Sequence, residues 1–308
     1  MLVVNGITRS RFKTSVALGY FDGLHLGHRA VITAAVRGAG WRLTPTVFTF
    51  AQTPEVKIGE EGAVNILTPE MKSQLLTSMK VKQLYQVLFR DVVAMHPEQF
   101  VRAVLVDALQ AQKVYCGFNY HFGRRGEAGV PELIDLCKKY DIEVHELDAV
   151  LYGKEPISST RIKNCVLNGD MKSASAMLGR PFSYDFSVVQ GNQIGRTMGT
   201  PTINQIFPKE FLIPKFGVYA SVATIQKKRY CGVTNIGVKP TVGSAVPLSE
   251  TWMPDYQGEE LYGQDIEVEL IEFIREEKKF DSIEDLRKQI LDAAECSKKI
   301  VTPMLNHK

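Results

Sequence analysis

The segment Gly19-Tyr20-Phe21-Asp22-Gly23-Leu24-His25-Leu26-Gly27-His28 combines three glycines with two imidazoles three residues apart. Glycines let the backbone turn tightly and approach a phosphate closely, and the unpaired N–H groups of a helix that begins there attract its charge. Imidazole N–H groups at His25 and His28 would point at the same anion. Such donors act most strongly where charge builds up in a transition state. His25 and His28 are therefore candidate catalytic residues, with Gly19, Phe21, Asp22, Gly23 and Gly27 as candidate phosphate-binding residues. A zinc site would need further ligands, and none stands at a suitable spacing. The glycines do not follow the Gly-x-Gly-x-x-Gly dinucleotide pattern.

A second constellation occupies 191–204. Gly191, Gly195 and Gly199 relax a loop that could wrap a polyphosphate, with Arg196 as its positive partner. Thr202 and Asn204 offer neutral oxygens two residues apart, on one side if the segment is extended. Magnesium favours such donors together with phosphate oxygens and water. Unaided, the loop could equally be a polar hairpin. A third segment, Ser158-Ser159-Thr160, puts two hydroxyls at a helix start, which suits a phosphate or an ordinary helix cap.

These residues need elements to hold them. Short apolar runs at 15–19, 46–50, 83–89, 113–117 and 143–147 alternate with helix-like stretches at 26–37, 68–79, 97–109 and 131–139. That pattern predicts an α/β, doubly wound parallel sheet. The first motif falls where a strand ends and a helix begins, the edge at which open α/β sheets bind ligands. Two short helices at 159–167 and 171–178 follow, and Leu178-Gly179-Arg180-Pro181 stops the second. The predicted domains are accordingly 1–181 and 182–308. Beyond the boundary, β-branched and aromatic runs at 182–190, 217–225, 229–236 and 265–273 lie between Gly and Pro turns. They predict an antiparallel β-barrel. A terminal amphipathic helix at 282–299 would cover one end of it, with Ser282 as N-cap.

The chain has 308 residues, which predicts about two domains, and its 44% hydrophobic and 23% charged residues are those of a folded globular protein. The net charge of +3 does not by itself call for nucleic acid or a membrane surface. Five scattered cysteines suggest neither a disulfide framework nor zinc. With no secretory leader or membrane-spanning run in view, the expected location is cytoplasmic. Oligomeric state is not legible.

Gly19-x-Phe21-Asp22-Gly23-x-His25-x-Gly27-His28 resembles the signature of the HxGH nucleotidylyltransferases, and more narrowly of the prokaryotic bifunctional riboflavin kinase/FAD synthetases. Matches continue in that family's order at Cys116-Gly117-Phe118-Asn119-Tyr120-His121-Phe122-Gly123, at Ile157-Ser158-Ser159-Thr160, and at Leu178-Gly179-Arg180-Pro181. The 191–204 loop is similar to the family's Leu-Gly-Arg-x-Leu-Gly-Phe-Pro-Thr-Ala-Asn, and Ser249-Glu250-Thr251 and Ile274-Arg275 through Lys279-Phe280 match later segments. The resemblance implies that His25 and His28 hold ATP phosphates while adenylyl passes to FMN, with Ser159, Thr160 and Lys163 closing on the triphosphate and Asn119 on the flavin-phosphate or ATP side. It implies for the second domain that Thr202 and Asn204 hold Mg2+, that Glu250 is the general base of riboflavin phosphorylation, and that Arg275 and Phe280 lie near the flavin. Three departures stand out. The family's histidine in Phe-x-Pro-His-Pro is missing from Phe50-Ala51-Gln52-Thr53-Pro54, its arginine after Ser-Ser-Thr is Lys163, and Trp252 and Pro254 replace residues near the base. The first two leave open a kinase without adenylyl transfer. A non-catalytic flavin or nucleotide sensor is the other alternative.

Overall fold

The computed structural model describes residues 1–51, 64–191, 199–241, 244–278 and 282–305. The chain divides into two compact units, Met1–Ser159 and Thr160–Lys308.

The first unit is a parallel sheet of β1 (Leu2–Asn5), β2 (Thr14–Leu18), β3 (Thr44–Phe50), β4 (Gln83–Val87), β5 (Ala111–Gly117) and β6 (Glu143–Leu147). Their order is β1-β4-β3-β2-β5-β6. The chain thus winds outward from β2 in one direction and from β5 in the other. The carboxyl ends of those two neighbours flank the crevice such a reversal creates. All five residues of β2 are buried, as a central strand covered on both faces must be. One face is covered by α1 (Leu26–Ala39), which buries Val31, Ile32 and Ala35. On the other, α3 (Pro97–Phe100) runs into a π-helical stretch, Val101–Ala108, and is joined by α4 (Val130–Lys138). Val104, Leu105, Leu133 and Cys137 from these pack with Val16, Leu18, Phe48 and Val114. Helix α2 (Pro69–Ser78) starts with Thr68, whose hydroxyl accepts from Met71 N, and Pro69 at a position where no N–H is needed. A short hairpin, β7 (Leu151–Tyr152) and β8 (Glu155–Pro156), completes the unit.

Helices α5 (Ser159–Asn168) and α6 (Met171–Leu178) precede the barrel, and Gly179 at φ 69 ends α6 in the left-handed conformation that glycine adopts at no steric cost. The barrel comprises β9 (Phe182–Val189), β10 (Thr202–Ile206), β11 (Gly217–Ile225), β12 (Lys228–Thr241), β13 (Ser244–Trp252) and β14 (Asp265–Arg275). It closes in the order β10-β13-β12-β11-β14-β9, every pairing antiparallel. Helix α7 (Ile283–Leu305) lies against it. Val301 packs with Ala220, Val222 and Cys231, and Ser297 Oγ donates to Gly232 O at 2.6 Å. Ser282 accepts from Asp285 N at 3.1 Å, the cap the sequence predicts.

Both architectures follow the sequence expectation, yet β1, β10 and β13 were not among the predicted strands. β1 is a half-exposed edge strand of four residues, too short to show a period. β10 and β13 fail to alternate apolar with polar because several inward positions of the barrel are themselves polar. Thr234 Oγ1 donates to Ser221 Oγ at 2.8 Å and accepts from Thr251 Oγ1 at 2.8 Å, while Gln205 Nε2 donates to Ile266 O at 2.8 Å. Such pairing is what most buried hydroxyls require.

Candidate functional site

In the first unit the chain leaves β2 at Gly19 and enters a strained turn, with Phe21 at φ 55, Gly23 at φ 80 and Leu24 at φ 44. A Cβ at Gly23 would also lie 2.9 Å from the Ile66 side chain, so both conformation and space call for glycine. Asp22 locks the turn from inside: Oδ1 accepts from Ile66 N at 2.9 Å and its carbonyl accepts from Ser159 Oγ at 2.9 Å. His25 caps α1, its Nδ1 accepting from His28 N at 3.3 Å. The two imidazoles stack with centroids 3.6 Å apart, and Phe21 meets His28 edge-on at 5.3 Å. Gly27 leaves room for this stack, because a Cβ there would stand 3.1 Å from the His25 ring.

Burial, helped by His25 and then Lys72, holds His28 well below the usual imidazole range, and the Asp22 backbone only partly opposes this. His28 is thus a neutral imidazole at neutral pH. Its Nδ1 is buried and makes no hydrogen bond among the described residues. Beneath the turn lies a lysine that sequence reasoning missed. Lys72 is 1% exposed and donates to Tyr20 O at 2.7 Å and to Thr49 Oγ1 at 3.2 Å. Burial pushes its ammonium down to about 8 against the opposing pull of Asp22. The turn opens on a cavity of about 560 Å3, lined by His25 and His28, by Gly117, Asn119 and Arg125, by Ser158 and Ser159, and by an aromatic wall that includes Phe50 and Phe89.

In the second unit the barrel's hydrogen-bond register assembles the site. Asn204 of β10 stands opposite Glu250 of β13, which stands opposite Asn235 of β12. Thr202, two residues before Asn204, shares its face. Glu250 is half-buried, and Asn204 is buried against Gly191, where a Cβ would come within 2.6 Å of its amide. Asn204 Nδ2 points at Thr202 O, 3.5 Å away. Asn235 Nδ2 donates to Glu277 Oε1 at 3.0 Å, beyond the end of β14. Arg275, the last residue of β14, is half-buried, and burial draws its guanidinium down from the ordinary value.

The sequence model of the FAD synthetase family matches residues 8–161, and that of the riboflavin kinase family matches residues 178–301. A bifunctional riboflavin kinase/FMN adenylyltransferase of Listeria monocytogenes is 36% identical over 282 residues, 89% of this chain and 88% of the relative. Its Bacillus subtilis counterpart is 34% identical over 92% of this chain and 91% of its own. The chain belongs to the bifunctional riboflavin kinase/FMN adenylyltransferase family. A crystal structure described as a macrolide-efflux protein from Streptococcus pneumoniae shares the fold with a TM-score of 0.87, at 28% identity over 97% of this chain and 99% of that one.

Of the residues singled out from sequence for the family's first module, Gly19, Phe21, His25, Gly27, His28, Asn119, Ser158 and Ser159 line one cavity. Asp22 and Gly23 lie just behind it as the turn's internal fastening. Thr160 and Lys163 follow on the first turns of α5, Thr160 exposed and Lys163 partly buried. For the second module, Gly191, Thr202, Asn204 and Glu250 come together, and Gly199 turns at φ 74 just before β10. Gly195, Arg196, Phe280 and the Thr53 departure lie outside the described residues. Besides Lys72, the sequence reading missed Asn235, Arg125 and the aromatic wall. Lys72 did leave a signal, since it sits four residues before Leu76 on the buried stripe of α2, where an apolar residue belongs.

Families that phosphorylate and adenylylate with ATP use a divalent metal, and the second site can be tested for one. Among the described residues no group of three or more His, Cys, Asp or Glu could hold an ion. Thr202, Asn204 and Glu250, at neighbouring positions of β10 and β13, carry hard oxygen donors instead. That set suits an ion which keeps its waters and shares phosphate oxygens.

Proposed function

We propose that this chain makes both flavin cofactors: the barrel unit transfers the γ-phosphoryl group of ATP to riboflavin, giving FMN and ADP, and the sheet unit transfers adenylyl from ATP to FMN, giving FAD and pyrophosphate. The observation that supports the reading is that each unit gathers residues of its family's motifs, His25, His28 and Ser159 around one cavity and Asn204 opposite Glu250 in the barrel. We keep Pro181, between α6 and β9, as the functional boundary. Use of ATP in both reactions supports a cytoplasmic setting, and no helix among the described residues is long and apolar enough to cross a membrane.

In the sheet unit an FMN phosphate oxygen attacks the α-phosphorus of ATP as the bond to pyrophosphate breaks. His28, held neutral by its burial and stacked on His25, joins His25 in directing N–H groups at the phosphates. Ser159 is tied to the turn through Asp22, and the ring system of the flavin finds the aromatic wall beside Asn119. In the barrel unit Glu250 accepts the proton of the ribityl hydroxyl as that oxygen bonds to the γ-phosphorus and ADP departs. Thr202 and Asn204 would hold Mg2+, which neutralises phosphate charge. Riboflavin, ATP and Mg2+ incubated with the protein should yield FMN and then FAD by chromatography. Absence of any phosphorylated flavin would overturn the reading, and FMN that never proceeds to FAD, even when supplied, would remove the sheet unit's role.

A further inference from the structure

The net charge of +3 hides an asymmetry: from Met1 to Pro54 the only acidic residue is Asp22, against Arg9, Arg11, Lys13, Arg29, Arg37 and Arg42. The sheet shows where most of these cations go. Because every strand is parallel, all amino ends share one edge, remote along the strands from the nucleotide cavity at the carboxyl ends. Lys13 precedes β2 and its carbonyl accepts from Thr44 N at 2.9 Å, which brings Arg42 of the β3 approach beside it. Lys82 precedes β4, and its carbonyl accepts from Leu2 N at 2.8 Å. Ser10 donates to Gln83 at 3.3 Å, which places Arg9 and Arg11 at the same edge. All five of these cations are exposed, and none forms an ion pair among the described residues.

Cations often gather at such an edge because helix carboxyl termini favour them. That accounts for Arg37 and Lys80, at the ends of α1 and α2, but not for the others, which sit on loops before strands. Nor does it account for the apolar side chains among them. Trp41 is 86% exposed, Phe12 60% and Leu2 58%. Large apolar groups standing out of a cationic field match an anionic bilayer, where aromatic rings enter the headgroup layer and Lys or Arg meet lipid phosphates. Single-stranded nucleic acid fits less well. Leu2 offers a base no π-face, and Arg42 already lies over the Trp41 ring at 4.7 Å.

We infer that the amino edge of the sheet, built from Leu2, Phe12, Lys13, Trp41, Arg42 and Lys82, is a peripheral docking surface for anionic phospholipid. The full chain should sediment with vesicles of phosphatidylcholine containing about one-third phosphatidylglycerol and not with phosphatidylcholine alone, the binding weakening at least tenfold as salt rises from about 0.1 to 0.5 M. Lys13→Glu with Arg42→Glu should lower vesicle affinity by more than about tenfold. Trp41→Ser should lower it several-fold and abolish the blue shift of tryptophan emission on binding. Both variants should form FAD from FMN at the unaltered rate in solution. Failure to bind the anionic vesicles at low salt, equal binding to neutral ones, or indifference to charge reversal would overturn the inference. So would capture of a single-stranded oligonucleotide in place of vesicles, lost in the same reversal variant, which would assign the edge to nucleic acid.

Discussion

The two proposed sites would handle the same cosubstrate by different constructions. The sheet unit draws its imidazoles from a single strand-turn-helix segment, His25 and His28 stacked 3.6 Å apart over a turn that Asp22 fastens and Lys72 underlies. The barrel unit draws Asn204, Glu250 and Asn235 from three neighbouring strands and aligns them through register. A turn fixes donors through local backbone geometry, whereas a register fixes them through the whole sheet, since a slip by one residue turns every side chain to the other face. The first construction concentrates its brittleness in the turn and the few residues that fasten it, Ile66 and Ser159 among them. The second spreads its brittleness over the barrel.

The largest effect should come from the barrel's proposed proton acceptor. Glu250→Gln keeps the shape and removes the proposed base, so FMN formation should fall by about 10²–10⁴ while FAD formation from supplied FMN is unaffected. His28→Ala should do the reverse, lowering FAD formation by about 10²–10³, the usual cost of one preorganised donor to a developing anion. Steady-state rates with riboflavin or FMN as the sole flavin check both. If either variant lost the two activities together while retaining its far-UV circular dichroism, the contrast between independent constructions would fail.

A smaller effect separates turn from register. Gly191→Ala would place a Cβ 2.6 Å from the Asn204 amide, displacing it from its place opposite Glu250. A shift of that order should slow FMN formation by between about tenfold and 10²-fold, with FAD formation unchanged. Full kinase activity in this variant would show that Asn204 need not hold its position.

The same contrast explains what could be read from the chain. The parallel sheet, the barrel and the first cluster were legible because each leaves a local trace: runs of buried apolar residues, turn residues, and glycines spaced with histidines. Thr202 and Asn204 could be paired from their spacing, but Glu250 lies 46 positions beyond Asn204 and only resemblance linked them. Asn235 left no trace at all, because its part depends on a pairing that composition does not encode. β10 and β13 escaped for a related reason, since barrel positions filled by Gln205, Ser249 and Thr251 erase the alternation by which strands are recognised.

Lys72 tests how the turn is fastened. A buried ammonium opposes folding while it is charged, and the turn's remaining acceptor would stay satisfied without it, because Thr49 Oγ1 also donates to Tyr20 O at 2.7 Å. Its folded value of about 8 lies below the ordinary lysine value of 10.5 that the unfolded chain keeps. Between those values the unfolded state binds more protons, so this group makes wild-type stability rise with pH across that window and fall to its lower plateau beneath pH 8. Lys72→Met removes the titration. Its melting temperature should therefore exceed that of the wild type at pH 7 by about 2–4 °C for each kcal/mol gained, and the difference should shrink as pH climbs from 8 toward 10. FAD formation should nonetheless fall several-fold at pH 7, since the charge beneath Tyr20 and beside His28 is gone. A variant less stable than wild type at pH 7 would show instead that the ammonium's bonds to Tyr20 and Thr49 outweigh its desolvation, and the turn would then be held by Lys72 rather than merely charged by it.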